Sequence, residues 1–452
     1  MSISLTELLA KANIATPLTQ NPGITGISDY SSRVKPGNIF VAIKGYQLDG
    51  HDFIPEAIAN GAAAIFAEKN ITSPVPVIVV PDTRIALAEL SNAWYNFPAE
   101  AMTMIGVTAS NGKTTTAFMI DHILSEYFPA TGLIGTVIIK DGKTAVSADL
   151  TTPNSRELYE FLAAMDQNQC SHVTMEVSSA GQQLHRIHGI PYKIATFNNV
   201  SREHIDFHGS FEKSWEIKTQ LIKNLAPSSI AVLNADEPMI LALKEQTQAE
   251  AISYSVKNNP ADISVENLDL STGAGSFKYV IRKDITGANF SLAAGELAIK
   301  LKVLGMHNVY NAAVAITVAK LCGVPDAQIQ SALATFTGVE RRFQLIYDGQ
   351  YKIIDDHFAN AGNINMTLET LGLMKYNKLH LVLAIRGNRG SIVNGENAEA
   401  VVKWVPHLPL DQLIISDSVE FVNEHDWVSE EERATFLGIL DQAGIRYSHY
   451  PQ

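Results

Sequence analysis

Short apolar runs alternate with stretches of helical periodicity along most of this chain. "NIFVAI" (38–43) precedes "FIPEAIANGAAAIFAE", and "MTMIGV" (102–107) precedes a segment whose Ile120, Ile123, Leu124 and Tyr127 follow the i, i+3, i+4, i+7 rule of an amphipathic helix. "HVTMEVSS", "YKIATFNNV" and "IAVLNADEP" read as three more strands that end in polar clusters. This rhythm predicts βαβ units, with parallel sheets covered by helices. One stretch breaks it: "DISVENLDLSTGAGSFKYVIRKDITGANFSLAAGELAIKLKVLG" alternates, is rich in turn residues, and predicts an antiparallel meander. Two joints stand out. Pro98 in "NFPAEAMTM" separates a helix from the next strand, and "ATFTGVERRFQLIYDGQYKIIDD" ends a helix and opens a new strand series. The expectation is an α/β protein of three domains, 1–98, 99–336 and 337–452.

Composition narrows the class. The chain has 452 residues, 46% hydrophobic and 18% charged, as a soluble globular protein does. A formal net charge of −13 argues against broad nucleic-acid binding, which needs a basic face. An anionic substrate therefore requires Arg, Lys and metal brought by the site itself. Cys170 and Cys322 are far apart and show no metal-ligand spacing, which suits reduced thiols in a cytoplasmic protein. The opening "MSISLTELLAKANIA" reads as an amphipathic helix rather than a signal peptide, and no apolar run is long enough for a membrane span.

"GVTASNGKTTT" (106–116) carries the clearest chemistry. A strand, a turn with Gly112 and a helix beginning at Lys113 form the setting of a phosphate loop, because free N–H groups at a helix N-terminus favour anionic oxygens. Gly112 lets the backbone approach, Lys113 brings positive charge to the terminal phosphates, and the Thr114 hydroxyl is placed to ligate Mg²⁺. The usual spacing fails by one position, since Val107 stands where a glycine is required and the nearest glycine is Gly106.

That off-register loop resembles the T-G-T-N-G-K-[ST]-[ST] variant of the Mur ligase family, with Ala109 and Ser110 replacing Gly and Thr. An alanine at 109 predicts a slightly reshaped loop, because a glycine there is free to take positive φ. "TMEVSS" (174–179) resembles the family's E-V-S-S, "FNNVSREHIDFHGS" (197–210) its F-T-N-L-S-x-D-H-L-D-Y-H-G, and "GMHNVYNAAVAI" (305–316) its G-x-F-N-V-x-N-x-L-A-A. The resemblance implies a central phosphate-loop domain with a doubly wound, mostly parallel sheet, a small N-terminal α/β domain that binds a uridine nucleotide, and a Rossmann-like C-terminal α/β domain. It implies ATP and two Mg²⁺ ions, with Thr114, Glu176, His204 and Lys218 as metal ligands and Lys218, in "SWEIKTQLI", carried as a carbamate. It places Asn111, Gly112, Lys113, Thr114, Thr115, Asn308, Asn311 and Arg342 at the nucleotide, with the two asparagines facing adenine, and gives catalytic roles to Lys113, Lys218, His204 and Asp355. Within the family the segment 31–65 is most similar to the branch that adds the third peptide residue to a cell-wall precursor. That puts Ser32, Tyr46, Gln47, Leu48, Thr151, Thr152, Ser178, Arg186 and Arg389 at the nucleotide-sugar peptide substrate and the incoming amine.

The match weakens toward the C-terminus. Ala180 replaces a His, the G-R-x-E motif becomes "RRFQ", and D-Y-A-H-x-P becomes "DDHFANA" (355–361). "AIRGNRGS" (384–391) replaces G-C-G-G-D-R-D, keeping Gly387 and Arg389, and "IISDSVEF" (414–421) stands where the diamino-acid enzymes carry D-N-P-[RA]. The family's closing G-K-G-H-E strand has no counterpart before Gln452, which predicts either a shorter third domain or a truncated chain. The resulting expectation is a monomeric, ATP-dependent carboxylate–amine ligase that works through an acyl phosphate and whose amine pocket is rebuilt. A paralogue with the same chemistry on another carboxylate, in specialised-metabolite or nickel-tetrapyrrole coenzyme assembly, and a non-catalytic nucleotide-binding regulator remain as alternatives.

Overall fold

The structure is a computed structural model, and it describes residues 2–18, 20–200, 210–340, 342–358, 360–417 and 422–451. The N-terminal segment forms a four-stranded parallel sheet in the order β1 (Gly26–Ser28), β2 (Asn38–Val41), β3 (Ala64–Ala67), β4 (Val77–Val79). Every residue of β2 and β3 is buried, as strands covered on both faces require. Two helices pack on one face: α1 (Leu5–Lys11), capped by Ser4, buries Leu5, Leu8 and Leu9, and α2 (Thr83–Trp94), capped by Asp82, buries Leu87 and Leu90.

The central sheet has eleven strands. At its heart β5 (Thr103–Thr108) lies between β9 (His172–Glu176) and β10 (Tyr192–Phe197), parallel to both. Beyond β9 come β6 (Thr131–Ile134), β7 (Ile138–Lys140) and β8 (Ala145–Ser147), the last two antiparallel. Beyond β10 come β11 (Ile230–Asn234) and β12 (Glu250–Ser255). The chain leaves β5 toward one side and returns on the other, so a crevice opens at the carboxyl end of β5, where open α/β sheets bind ligands. The predicted meander is antiparallel and is continuous with this sheet. Strand β13 (Ile263–Asp269) pairs parallel with β12, then antiparallel with β14 (Ala274–Ile281), which pairs with β15 (Gly295–Leu304).

Helix α3 (Lys113–Ser125) follows β5 and buries Ile120, Ile123 and Leu124. Tyr127 does not continue that row: the helix ends at Ser125, and Tyr127 is 44% exposed, set edge-on against Phe128. Gly106 lies inside β5, where an added Cβ would sit 3.0 Å from the Tyr192 ring. It is therefore a packing glycine of the strand, which explains why it falls outside the phosphate-loop spacing.

Past α4 (Asp326–Thr335), a hairpin of β16 (Gln344–Asp348) and β17 (Lys352–Asp355) leads to α5 (Ala361–Leu373). A parallel sheet of β18 (Leu379–Ala384), β19 (Leu410–Ser416) and β20 (Ser448–Tyr450) follows, with α6 (Gly390–Trp404) and α7 (Glu430–Gln442) between its strands. Its core, around Leu368, Ala398, Val401, Ile415 and Leu440, also takes in Leu304 at the end of β15. Among the described residues no helix is long and apolar enough to cross a membrane.

Candidate active site

The phosphate loop closes tightly over the end of β5. Gly112 has φ +81°, and an added Cβ would meet Asn311 Oδ1 at 2.8 Å, so both backbone and space demand glycine. Gly112 is the one loop residue with positive φ; Ala109 has none, so its methyl group costs no backbone strain. Asn199, just past β10, clamps the loop from below. Its Oδ1 accepts from Asn111 N at 2.9 Å, its Nδ2 donates to Asn111 O at 2.8 Å, and its carbonyl accepts from Ser110 N at 2.9 Å. The Lys113 ammonium folds over the loop and donates to Ala109 O at 2.7 Å and Ser110 O at 2.9 Å.

Glu176, at the end of β9, is fully buried. Its Oε2 accepts from Thr114 Oγ1 at 2.8 Å and its Oε1 from Thr136 N at 2.7 Å; Thr136 Oγ1 lies 3.1 Å from Oε2. Burial pushes this carboxyl above its usual range, against the pull of those donors and of Lys113. Gly135 makes the room, since an added Cβ would sit 2.4 Å from Glu176 Oε1. A hydroxyl and a buried carboxylate side by side, next to a phosphate cradle, fit Mg²⁺, which is held by one or two protein oxygens and completed by phosphate and water. Among the described residues no cluster of three or more His, Cys, Asp or Glu could hold a metal ion.

On the far side of Glu176, Thr136 Oγ1 also lies 3.1 Å from Thr151 Oγ1. Thr152 Oγ1 donates to Glu176 O at 2.9 Å and accepts from Ser178 N and Ser178 Oγ at 3.0 Å. Arg186 Nη1 donates to Thr152 O at 2.9 Å. Burial holds the Arg186 guanidinium below its usual range, with the Arg84 charge adding to the effect and the charges of Glu157, Tyr30 and Tyr46 opposing it. Nearby, Asp29 is raised by burial against the charges of Arg156, Arg33 and Arg84. An acidic chain thus gathers four guanidinium groups at the joint between its first two domains. Ser32, Tyr46, Gln47 and Leu48 are exposed at that joint's N-terminal side.

Other predicted residues fall elsewhere. Lys218 is 2% exposed on helix α8 (Phe211–Lys223), with Nζ 3.2 Å from Ser110 Oγ. Thr115 is buried in the first turn of α3. Asn308 and Asn311, on α9 (Met306–Leu321), turn inward: Asn308 Nδ2 donates to Leu304 O at 2.7 Å, Asn311 Nδ2 to Asn308 Oδ1 at 3.0 Å, and Asn311 Oδ1 accepts from Thr116 Oγ1 at 3.0 Å. They brace the loop from behind. Arg389 is exposed and its main-chain N–H donates to Glu432 Oε1 at 2.8 Å. Arg342 is half-buried and its charge reaches Asp356. His204 lies outside the described residues, as do Arg341 and the Ser418–Val419 pair. Thr136, Gly135 and Asn199 were missed by sequence reasoning; the only signal for them is a short polar turn after a buried strand.

A phosphate loop on a mostly parallel sheet, with a buried carboxylate at the neighbouring strand end and α/β units on either side, defines an enzyme of the nucleotide-dependent phosphoryl-transfer class. The comparisons agree. The Mur ligase middle domain profile matches residues 107–319, and that of the Mur ligase family catalytic domain matches residues 23–95. The chain is 35% identical over 411 residues to UDP-N-acetylmuramoyl-L-alanyl-D-glutamate--2,6-diaminopimelate ligase of Bacillus velezensis, covering 89% of this chain and 81% of that protein. It is 30% identical over 449 residues to the enzyme of the same name from Listeria monocytogenes, covering 95% and 89%. A solved structure of a protein so named superposes with a TM-score of 0.70 at 23% identity, covering 100% of this chain and 88% of that one, and shows the shared fold. The chain belongs to the Mur ligase family, whose members use ATP and Mg²⁺.

Proposed function

We propose that the chain joins an amino acid to the free carboxylate of a UDP-linked muramoyl dipeptide in the cytoplasm, with an acyl phosphate as intermediate. The observation that carries this reading is the shared wall between two subsites. Thr136 and Glu176 stand between the phosphate loop and the Thr151, Thr152, Ser178, Arg186 group, so a carboxylate held by Arg186 approaches the terminal phosphate across these two residues. The relatives' names supply the muramoyl dipeptide; the Arg33, Arg84 and Arg156 guanidinium groups at the first joint supply a place for its diphosphate.

In this reading Lys113 leaves the Ala109 and Ser110 carbonyls for the terminal phosphate, where charge builds during transfer. Thr114 and Glu176 would hold Mg²⁺, which would supply further positive charge beside the terminal phosphate. A second ion belongs to His204 and to Lys218 as its carbamate; the supporting observation is an amine buried beside Ser110. Asn308 and Asn311 act by bracing the loop. The third domain delivers a carboxylate, and the helix start supports Asp356 in that role. In D-Y-A-H-x-P the proline falls five residues after the aspartate, and proline favours the first helical position. Helix α5 opens at Ala361 behind an Asn360 cap, and five residues back is Asp356, not Asp355. Asp355 ends β17 partly exposed. Asp356 is held by Phe343 N at 3.1 Å, His357 N at 2.9 Å and the Thr367 hydroxyl, and burial raises its carboxyl above the usual range.

The test is ADP–ATP isotope exchange, without amine, in the presence of Mg²⁺ and the UDP-muramoyl dipeptide. Dipeptide-dependent exchange supports the reading. No exchange with the dipeptide, together with exchange on a different carboxylate, shifts the protein to another substrate with the same chemistry.

A further inference from the structure

The third domain reaches the phosphate loop through an amide. Asn363, on the first turn of α5, donates Nδ2–H to Asn111 Oδ1 at 3.0 Å. Its own main-chain N–H goes to the Asn360 side chain at 3.0 Å, so the turn that carries it is capped independently. The Asn111 main chain is already clamped on both sides by Asn199. The loop residue is therefore held at its backbone by the central domain and at its side chain by the third. The same helix leans on the central domain further along. Thr370 Oγ1 accepts from Met306 N at 3.4 Å, and Met374 fills the space beside Gly273, where an added Cβ would meet its sulfur at 2.8 Å.

Asn111 sits between the two carbonyls that hold Lys113 and the glycine that opens α3. Any phosphate that draws Lys113 away acts on the residues flanking Asn111. We infer that Asn363 is a positioning residue for the phosphoryl step: through Asn111 it ties docking of the third domain to the conformation of the phosphate loop. This rests on the ligase reading above, and it adds a residue that no sequence pattern singled out. Coupling of this kind is reciprocal. If docking orders the loop, the loop's conformation biases docking to the same extent.

The experiment is hydrogen–deuterium exchange on the full chain, comparing wild type with Asn111→Ala, Asn363→Ala and the double variant. Asn363→Ala speeds exchange several-fold in loop peptides spanning 106–116, Asn111→Ala does so in the first turn of α5, and the double variant exchanges no faster than the faster single one. Exchange that changes only within α5 after Asn363→Ala, or single effects that multiply in the double variant, overturns the inference. Gly362→Leu serves as a second variant, because an added Cβ there lies 3.1 Å from the Asn360 cap oxygen and 3.5 Å from Asn111 Nδ2, and the longer leucine side chain extends beyond it. It wedges the contact with Asn363 intact, and an undisturbed loop would likewise count against the coupling. These readouts need no substrate, so they stand apart from the identity of the carboxylate. In the ligase assay Asn363→Ala lowers kcat about tenfold, the population shift an ordinary hydrogen bond supports, while affinity for MgATP stays within about twofold. An affinity loss equal to the rate loss would make Asn363 a nucleotide contact and contradict the positioning role.

Discussion

The two walls of the reaction crevice are built differently. On the ATP side, Gly112, Lys113 and Thr114 come from one turn, and Glu176 lies at the end of the adjoining strand; each is fixed by bonds of 2.7–2.9 Å within the central domain. On the side proposed for the amine, the residues come from five separate stretches and are tied to one another. Asp417 is held by Arg433 Nε at 2.6 Å and His449 Nε2 at 3.0 Å. Glu432 holds the Arg389 and Gly390 N–H groups, and Arg386 Nη2 lies 3.1 Å from His357 Nε2. The first wall keeps the Gly112-Lys113-Thr114 run and the Glu176 strand end of the family's motifs, with Ala109 and Ser110 standing in for Gly and Thr. The second keeps its fold while its polar groups have found partners of their own.

The sharpest way to break this contrast is Lys113→Ala. A preorganised charge at the terminal phosphate is worth about 10²-fold or more, so turnover should fall by at least that factor with the melting temperature unchanged. A variant that retains more than about a tenth of wild-type rate removes Lys113 from the mechanism. Asp356→Asn and Asp355→Asn probe the other wall. The first should lower kcat about 10²-fold, the scale of a misplaced positioning group, and the second should stay within about threefold; the opposite ranking would return the role to Asp355. Lys218→Ala should lose activity on the order of tenfold or more, with partial recovery in bicarbonate or a short carboxylic acid, and mass spectrometry of native protein should show CO₂ on Lys218. An unmodified Lys218 in the MgATP complex would remove the carbamate.

A smaller effect concerns the hinge between the walls. His307 replaces the Phe of G-x-F-N-V and stacks edge-on against Phe343, and its buried Nδ1 has no hydrogen-bond partner. Burial lowers its pKa to about 4, as it does for His172. An unfolded histidine titrates near 6.5. Between those values the unfolded chain binds more protons, so stability is full above about pH 6.5 and declines as pH falls toward 4. His307→Phe should flatten part of that decline, raising the melting temperature at pH 5 by roughly 1–3 °C and changing it less at pH 7.5. An equal gain at both pH values would assign the effect to packing instead.

The same contrast explains what could be read in advance. Strand, loop and helix at 102–125 are contiguous, so Gly112, Lys113 and Thr114 announce themselves, and Glu176 ends the next strand of the sheet. Asn308 and Asn311 were legible as a pair, but that they face inward depends on Thr116 and Leu304, which lie far away in the chain or on another element. The role proposed for Asp356 was hidden beside Asp355 because register at a degenerate motif is set by where α5 begins, and Asn360 at the cap is what favours it. Thr136 and Asn363 carry no pattern at all; they matter through single contacts across 40 and 252 residues of sequence.

The central claim is an intact phosphoryl-transfer wall facing a rebuilt amine wall. Steady-state ligation on the UDP-muramoyl dipeptide, with diaminopimelate and L-lysine compared against a panel of other amines, tests it most directly. A pocket without partners for a ligand's distal charges rejects that ligand strongly. Dipeptide-dependent phosphate release is expected with some other amine, and turnover well below about 1 per second with diaminopimelate and L-lysine; turnover with either in the ordinary enzyme range of about 1–10³ per second would show that the amine wall is not rebuilt.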